Sequence, residues 1–385
     1  MCKPFFKSNL FRVILSCLFI CILMISCDNK KEEVSQKKIK AISIGTVLPL
    51  TGDYSEYGNN VLTALKIARD EINKKGKIYI NIIPEDDKAE PSKSVNALQK
   101  LVSIEQVKFI IGGFTSGCSQ AMYPIADRKG VLMFSPSSST PALTNNTPLF
   151  FRNWPTDKEQ ARFFASYTLD KFGMRSANVL YSNTDYGVNA KTLFSEAFKK
   201  IGGQVLVEEG YLPKTTDFRA QINKFLAKPS DCIWLFGYYS EIGHFLKQAR
   251  ELGLKKQFFG QEGIEGQALI DIAGDAAEGL IYFVPDFDPT LQSKRIKTFV
   301  SNFKAIANHD PEVFAAHAYD ALHILVKGIQ AVGDDPLKVA EYLPTVKDYP
   351  GLAGSTSIDA NGDAQKSLVI KTIQNGKFVK YFKRE

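Results

Sequence analysis

The sequence predicts an α/β protein of two lobes, each a mostly parallel sheet flanked by helices. Three observations carry this. From Ala41 onward, short β-rich runs alternate with helical patterns, the rhythm of a parallel sheet with helices on its faces. The series starts afresh near Asp157, in a chain of 385 residues, longer than a single core usually fills. The last part is extended and carries two Asn-Gly pairs, at 361–362 and 375–376, which are hairpin signals.

The chain begins with an address. Lys3, Lys7 and Arg12 precede an apolar run over 13–25 that ends in Leu23-Met24-Ile25-Ser26-Cys27. A spanning helix needs ~20 apolar residues, and this run is shorter. It fits a signal peptide over 1–27, and Ser26-Cys27 looks like a lipobox whose cysteine, Cys27, is lipidated. A plain secretory signal and an uncleaved anchor are the alternatives. Residues 28–40 (DNKKEEVSQKKIK) have many charges and no apolar face, so they read as a solvated tether. Four of the six cysteines fall in the signal; Cys118 and Cys232 are expected as separate thiols. The net charge of +7 drops to +4 without the three cations of the signal, which gives no case for nucleic acid.

In the body, 41–48 (AISIGTVL) is the first strand. The following helix, 57–73, has an apolar stripe at Val61, Leu65, Ala68 and Ile72. Strand 77–83 and helix 91–103 follow, then strand 107–111, a helix from about 119 to 129, and strand 131–135. The second series runs through helix 157–171, strand 177–181, helix 187–200, strand 204–209, helix 217–227, strand 231–236 and helix 240–252. Strands near 257–260 and 279–284 complete it. Helical patterns at 291–307, 312–331 and 336–343 come next, then extended segments at 354–358, 367–373 and 377–382.

The chemistry of catalysis is missing from the pattern. There is no Gly-rich phosphate loop and no Gly-x-Ser-x-Gly elbow. The four histidines (His244, His309, His317, His323) have no metal-ligand spacing. No metal, no cofactor and no enzymatic activity are expected. Asp86-Asp87 reads as a strand end feeding a helix, because adjacent residues point in different directions.

What the sequence does place is a set of polar and aromatic residues just after strands, where open α/β sheets bind ligands. Thr115, Ser116 and Ser119 open a helix, and Phe134–Pro141 (FSPSSSTP) ends the next strand in hydroxyls. Hydroxyls and free N–H groups at a helix N-terminus suit a carboxylate. Each half alone has a second reading, as a helix cap or a polar loop. Ser55-Glu56-Tyr57-Gly58, Asp185-Tyr186-Gly187, Gly237-Tyr238-Tyr239 and Gln261-Glu262-Gly263 take the same position. A lone carboxylate among them can pair an ammonium, and each aromatic could equally pack one lobe on the other.

From about Ile42 to Lys380 the chain resembles the leucine/isoleucine/valine-binding proteins, solute-binding components of ABC importers. The resemblance runs through 45–52 (GTVLPLTG) with Tyr57-Gly58, Asp86-Asp87, Ile110-Ile111-Gly112, Ser135-Pro136, Phe151-Arg152 with Pro155, Asp157 and Gln160, and Asp185-Tyr186-Gly187. It continues through 248–254 (QARELGL), Glu262-Gly263, 277–280 (AEGL), 318–322 (AYDAL) and Asn361-Gly362-Asp363.

The resemblance implies a type I periplasmic-binding fold with three hinge crossings, near Asp157, Pro285 and Lys366. One lobe would comprise 41–157 plus 286–365, the other 158–285 plus 366–385. It implies that Ser116 and Ser139, with backbone at Ser137 and Ser138, hold a ligand carboxylate. Glu262, beside Gly263, would pair the α-ammonium, with Tyr57, Tyr186, Tyr238 and Phe314 around the side chain. It also implies an exported monomer, anchored through Cys27 on the outer face of the cytoplasmic membrane, that hands an amino acid to an ABC permease and its ATPase. Three departures stand out. The family's disulfide has no cysteines here in 86–90 or 114–116, Ser137-Ser138-Ser139 replaces a small-small-threonine pattern, and Trp154, a possible pocket residue, replaces a smaller one. Other classes stay open: the same fold with an amide, urea, aromatic acid or polar amino acid as ligand, a sensor lipoprotein, or an exported hydrolase.

Overall fold

The computed structural model describes Met1 and residues 41–144 and 147–381. The expected signal, the lipidation site Cys27 and the tether 28–40 lie outside the described residues. Two parallel sheets organise the body. The first contains β1 (Ala41–Leu48), β2 (Tyr79–Asp86), β3 (Phe109–Gly112), β4 (Leu132–Ser135) and β5 (Phe150–Arg152), in the order β2-β1-β3-β4-β5. β3, β4 and β5 are buried at every position, as expected of strands covered on both faces by helices. Those helices include α1 (Ser55–Lys74), α2 (Pro91–Ser103) and α3 (Ser116–Arg128).

The second sheet contains β6 (Ser176–Ser182), β7 (Gln204–Tyr211), β8 (Cys232–Phe236), β9 (Gln257–Gln261) and β10 (Ile281–Pro285), all parallel. Its helices are α4 (Asp157–Ser166), α5 (Asp185–Lys200), α6 (Arg219–Ala227), α7 (Tyr239–Glu251) and α8 (Gln267–Ala273). Trp234 on β8 centres its core, with ring centroids 4.6 Å from Phe194 and 5.4 Å from Phe164, Phe259 and Phe283. The chain then returns through α9 (Lys294–Ala307), α10 (Val313–Val332) and α11 (Pro336–Tyr342). α9 and α10 pack on α1 of the first lobe. α10 is apolar almost all round and buried accordingly.

A small sheet of β11 (Tyr349–Gly351), β12 (Gly354–Ile358) and β13 (Ala364–Gln365) precedes the last passage back. β14 (Leu368–Gln374) then adds antiparallel to β10, and β15 (Lys377–Lys380) pairs with β14. The chain therefore passes between the sheets three times, after β5, after β10 and before β14. The second and third passages lie side by side, with Asp286 N donating to Ser367 O at 2.9 Å. Lys366 in the third is half-buried, its amine on Thr356 Oγ1 at 2.5 Å and Ala353 O at 3.2 Å. Burial pulls its pKa down to about 8.

Several elements differ from the sequence reading: α8 and the short strands β5, β11 and β13 are absent from it, and one helix ends differently. The helix expected over 157–171 is α-helical only to Ser166 and ends in a π-turn, Tyr167–Lys171. There the Thr168 hydroxyl donates to Phe164 O at 2.7 Å while accepting from the Trp234 indole at 3.2 Å. A side chain bonded into the helix ladder is a recognised cause of such a distortion. β5, with three residues, is too short to show a period.

Candidate functional site

Five loops at the carboxyl ends of the two sheets converge on one cavity. From the first lobe, the Phe114–Ser116 turn after β3 and the Ser137–Ser139 loop after β4 form one wall. Tyr186 at the start of α5, Tyr238 before α7 and Glu262-Gly263 after β9 form the other, with Phe314 from the start of α10 between them. Caps aim several of these residues. Thr115 Oγ1 accepts from Cys118 N at 3.3 Å, opening α3 so that Ser116 takes its first position. Thr184 Oγ1 does the same for α5 by accepting from Gly187 N at 3.2 Å. Glu312 caps α10 by accepting from Phe314 N and Ala315 N.

The serine loop is held by Gly113. Its carbonyl faces the hydroxyls of Ser119, Ser135 and Ser138 at 2.9, 3.0 and 2.8 Å. Its φ of +68° favours glycine, and a Cβ there would lie 2.1 Å from Ser119 Oγ. Ser116 Oγ accepts from Ser139 N and Thr140 N, both at 3.3 Å. Its own proton therefore remains available as a donor towards the cavity, beside the helix N–H groups that have no intrahelical carbonyl.

The opposite wall is acidic. Glu262 is 3% exposed and Asp157 1% exposed. The same amide nitrogen, Gln261 Nε2, donates to Glu262 Oε1 and Asp157 Oδ1, at 3.2 Å each. Glu262 Oε2, Asp157 Oδ2 and the Tyr186 hydroxyl have no hydrogen-bond partner among the described residues. Burial, reinforced by Asp157, holds the Glu262 carboxyl well above the usual range, although Trp154 and Gln261 pull the other way. Burial pushes Asp157 up to about 6 against the pull of Ser139, Gln261 and Arg152. Tyr186 and Tyr238 are raised far above an ordinary phenol, chiefly by burial, so both keep their protons as donors.

The lobes touch across this cavity. Tyr57 donates to Gly263 O, and Tyr54 to Glu241 Oε1 at 2.7 Å. Glu56 accepts from Gln267 N and Ala268 N, at 2.7 and 3.1 Å, at the start of α8. The enclosed volume is ≈20 Å³, about the room of one water molecule. A wider apolar groove of ≈350 Å³, between Phe163, Phe172 and Leu368, lies along β14. None of the unpaired buried polar atoms among the described residues falls on it.

The sequence pattern of the periplasmic binding proteins matches residues 41–377. The chain belongs to this family. Within it, a leucine-, isoleucine-, valine-, threonine- and alanine-binding protein of Pseudomonas aeruginosa is 31% identical over 329 residues, 84% of this chain and 87% of that one. A leucine-binding protein of Thermotoga maritima is 30% identical, with a TM-score of 0.84 over 89% of this chain and 98% of that chain. A branched-chain amino acid transporter substrate-binding protein of Streptococcus pneumoniae, solved with isoleucine, is 28% identical with a TM-score of 0.82, covering 88% and 98%. The family is one of solute-binding proteins.

In this periplasmic binding protein, Ser116, Ser137, Ser139, Tyr186, Tyr238, Glu262, Gly263 and Phe314 all line the cavity. Three other expected residues stand behind it. Ser138 turns its hydroxyl to Gly113 O, and its N–H donates to Ser135 Oγ at 3.0 Å. Tyr57 is fully buried and stacks on Phe114 at 4.9 Å. Trp154 stacks on Phe314 at 4.9 Å and 15° and meets His317 edge-on, so it backs the wall without forming it. Thr115, read from the sequence among the helix-opening hydroxyls, lines the cavity, whereas Phe114, which also lines it, and the Asp157 carboxylate, joined to Glu262 through Gln261, escaped the sequence reading as site groups. Asp157 had a signal, its position in the Phe151-Arg152 to Gln160 stretch, but was read as a hinge. Cys118 and Cys232 are separate buried thiols.

Proposed function

We propose that this protein captures a zwitterionic amino acid between its lobes, with a branched aliphatic side chain as the preferred form. Glu262 carries the reading: a buried acid with one oxygen unpaired, facing a serine-bearing helix start across a narrow cavity. In it Ser116, Ser139 and backbone N–H groups would take the carboxylate, Glu262 the ammonium, and Tyr186, Tyr238 and Phe314 the side chain. Charge-assisted hydrogen bonds contribute about 1.5–3 kcal/mol each, and a buried aliphatic side chain about 1.5–3 kcal/mol. After the costs of association and closure, micromolar affinity, about −8 kcal/mol, is within reach.

The cavity is smaller than any amino acid, so the lobes, 41–157 with 286–365 and 158–285 with 366–385, would part to admit the ligand and close on it. We place the protein outside the cytoplasmic membrane, anchored by lipid on Cys27, and acting as a monomer that feeds an ABC permease and ATPase without chemistry of its own. A smaller or more polar side chain is the second reading, favoured by Trp154 filling the space behind Phe314. A thermal-shift screen over the amino acids and small amides tests both. Leucine, isoleucine or valine giving the largest rise supports the first reading, alanine or threonine the second. A rise with amides alone would overturn the amino-acid assignment.

A further inference from the structure

Glu262 lines the cavity, and a second acid, Asp157, joins it through the Gln261 amide from outside that lining, where one ammonium needs one. Asp157 from α4 and Glu262 after β9 share a single amide donor, and each leaves one oxygen without a partner among the described residues. The groups facing them come from every side. Ser139 belongs to the loop after β4, Arg152 to β5, Gln261 to β9, Tyr186 to α5, Tyr238 to the turn before α7, and Trp154 to the passage before α4. Arg152 is the cation among these. Its guanidinium already bonds Asp363 at 2.6 Å, Ser138 O at 3.1 Å, Thr140 O at 2.9 Å and Thr144 Oγ1 at 2.8 Å. Both tyrosines are neutral. Two carboxylates in one low-dielectric site, bridged by a single neutral amide nitrogen, do not both ionise readily.

We propose that Asp157 is a second ligand-side acid, and that an amino-acid ammonium seats between Asp157 and Glu262 while the pair gives up a proton to solvent. This rests on the amino-acid reading of the site. The balance is simple: before capture one carboxyl of the pair carries an O–H. The ammonium arrives with its own protons and keeps them, and the carboxyl proton passes to the buffer.

The sign follows from linkage. A group raised in the free protein and lowered by the bound cation releases its proton on binding, so affinity rises with pH through that window and then levels off. For Asp157 the window ends near 6; Glu262, raised further, extends it upward. The limit is about tenfold per pH unit for each proton released.

Calorimetry with L-leucine at pH 6, in two buffers of different ionisation enthalpy, counts the protons. The expected result is roughly 0.3–1 proton released per leucine, with Kd falling about 3–10-fold between pH 5 and pH 7. Asp157→Asn should bind leucine with that release cut at least in half. Equal enthalpies in the two buffers with a flat Kd from pH 5 to 7.5 would overturn the proposal, and undiminished release in Asp157→Asn would remove Asp157 from it. If Asp157→Asn does not fold, the buffer comparison on the unaltered protein still decides. A protein that binds amino acids without releasing protons loses only this proposal; one that binds no amino acid loses the reading beneath it as well.

Discussion

Glu262 sits under the Gln261 amide with one oxygen unpaired, a costly arrangement unless something positive completes it. Glu262→Gln keeps the shape and removes the charge. It should weaken leucine binding at least tenfold in calorimetry, consistent with loss of a charge-assisted bond of about 1.5–3 kcal/mol. The melting temperature of the ligand-free variant should hold or rise, since an acid whose ionisation burial opposes has gone. Asp157 gives a pH prediction for stability. Its folded pKa of about 6 lies above that of an ordinary aspartate, about 3.9, so between those values the folded form keeps a proton that the unfolded chain has lost. Stability from this group is therefore full below about pH 4 and falls until about pH 6. The loss is roughly 3 kcal/mol. Urea melts of the protein against Asp157→Asn should show the difference between them changing across that interval and flat above it. Residue roles were partly legible from the sequence. Glu262 stood out as a lone acid after a strand, whereas Ser138 and Ser139 look alike in sequence and only the Gly113 carbonyl separates a scaffold hydroxyl from a lining one.

At the scale of elements, the segment from Tyr54 to Tyr57 opens α1 and also reaches the other lobe through the side chains of Tyr54, Glu56 and Tyr57. Glu56 in particular caps α8 from across the cavity. Such a cap is worth about 1 kcal/mol. Glu56→Ala should therefore raise the leucine dissociation rate about fivefold in stopped flow, with little change in the melting temperature, because this contact acts on closure and not on either core. Thr115→Val removes a cap inside one lobe and should lower stability by about 1 kcal/mol in urea melts. The strands and helices were legible because their periods differ: 91–103 and 354–358 fall where the residues indicated. The exceptions are short elements, the seven-residue α8 and the two- or three-residue strands β5, β11 and β13, and one helix end. Three residues cannot establish alternation in β5, and the π-turn depends on Trp234, sixty-odd residues away, meeting Thr168.

Over the described residues 41–381, the strand ends of the two main sheets meet at one cavity, and the second and third passages between them run side by side. The repeat of the α/β series at Asp157 announced the two lobes. Nothing local told that β14 would return to the second sheet beside β10, because that pairing is set by register over nearly ninety residues. If a zwitterion bridges the lobes, both of its poles must matter. The decisive comparison is calorimetric titration with L-leucine, with 4-methylpentanoate, which lacks the ammonium, and with 3-methylbutylamine, which lacks the carboxylate. Leucine should bind in the micromolar range and each half-ligand at least about a hundredfold more weakly, the loss of one or two charge-assisted bonds. Either half binding within about threefold of leucine, close to thermal energy, would contradict a cleft built to grip both poles.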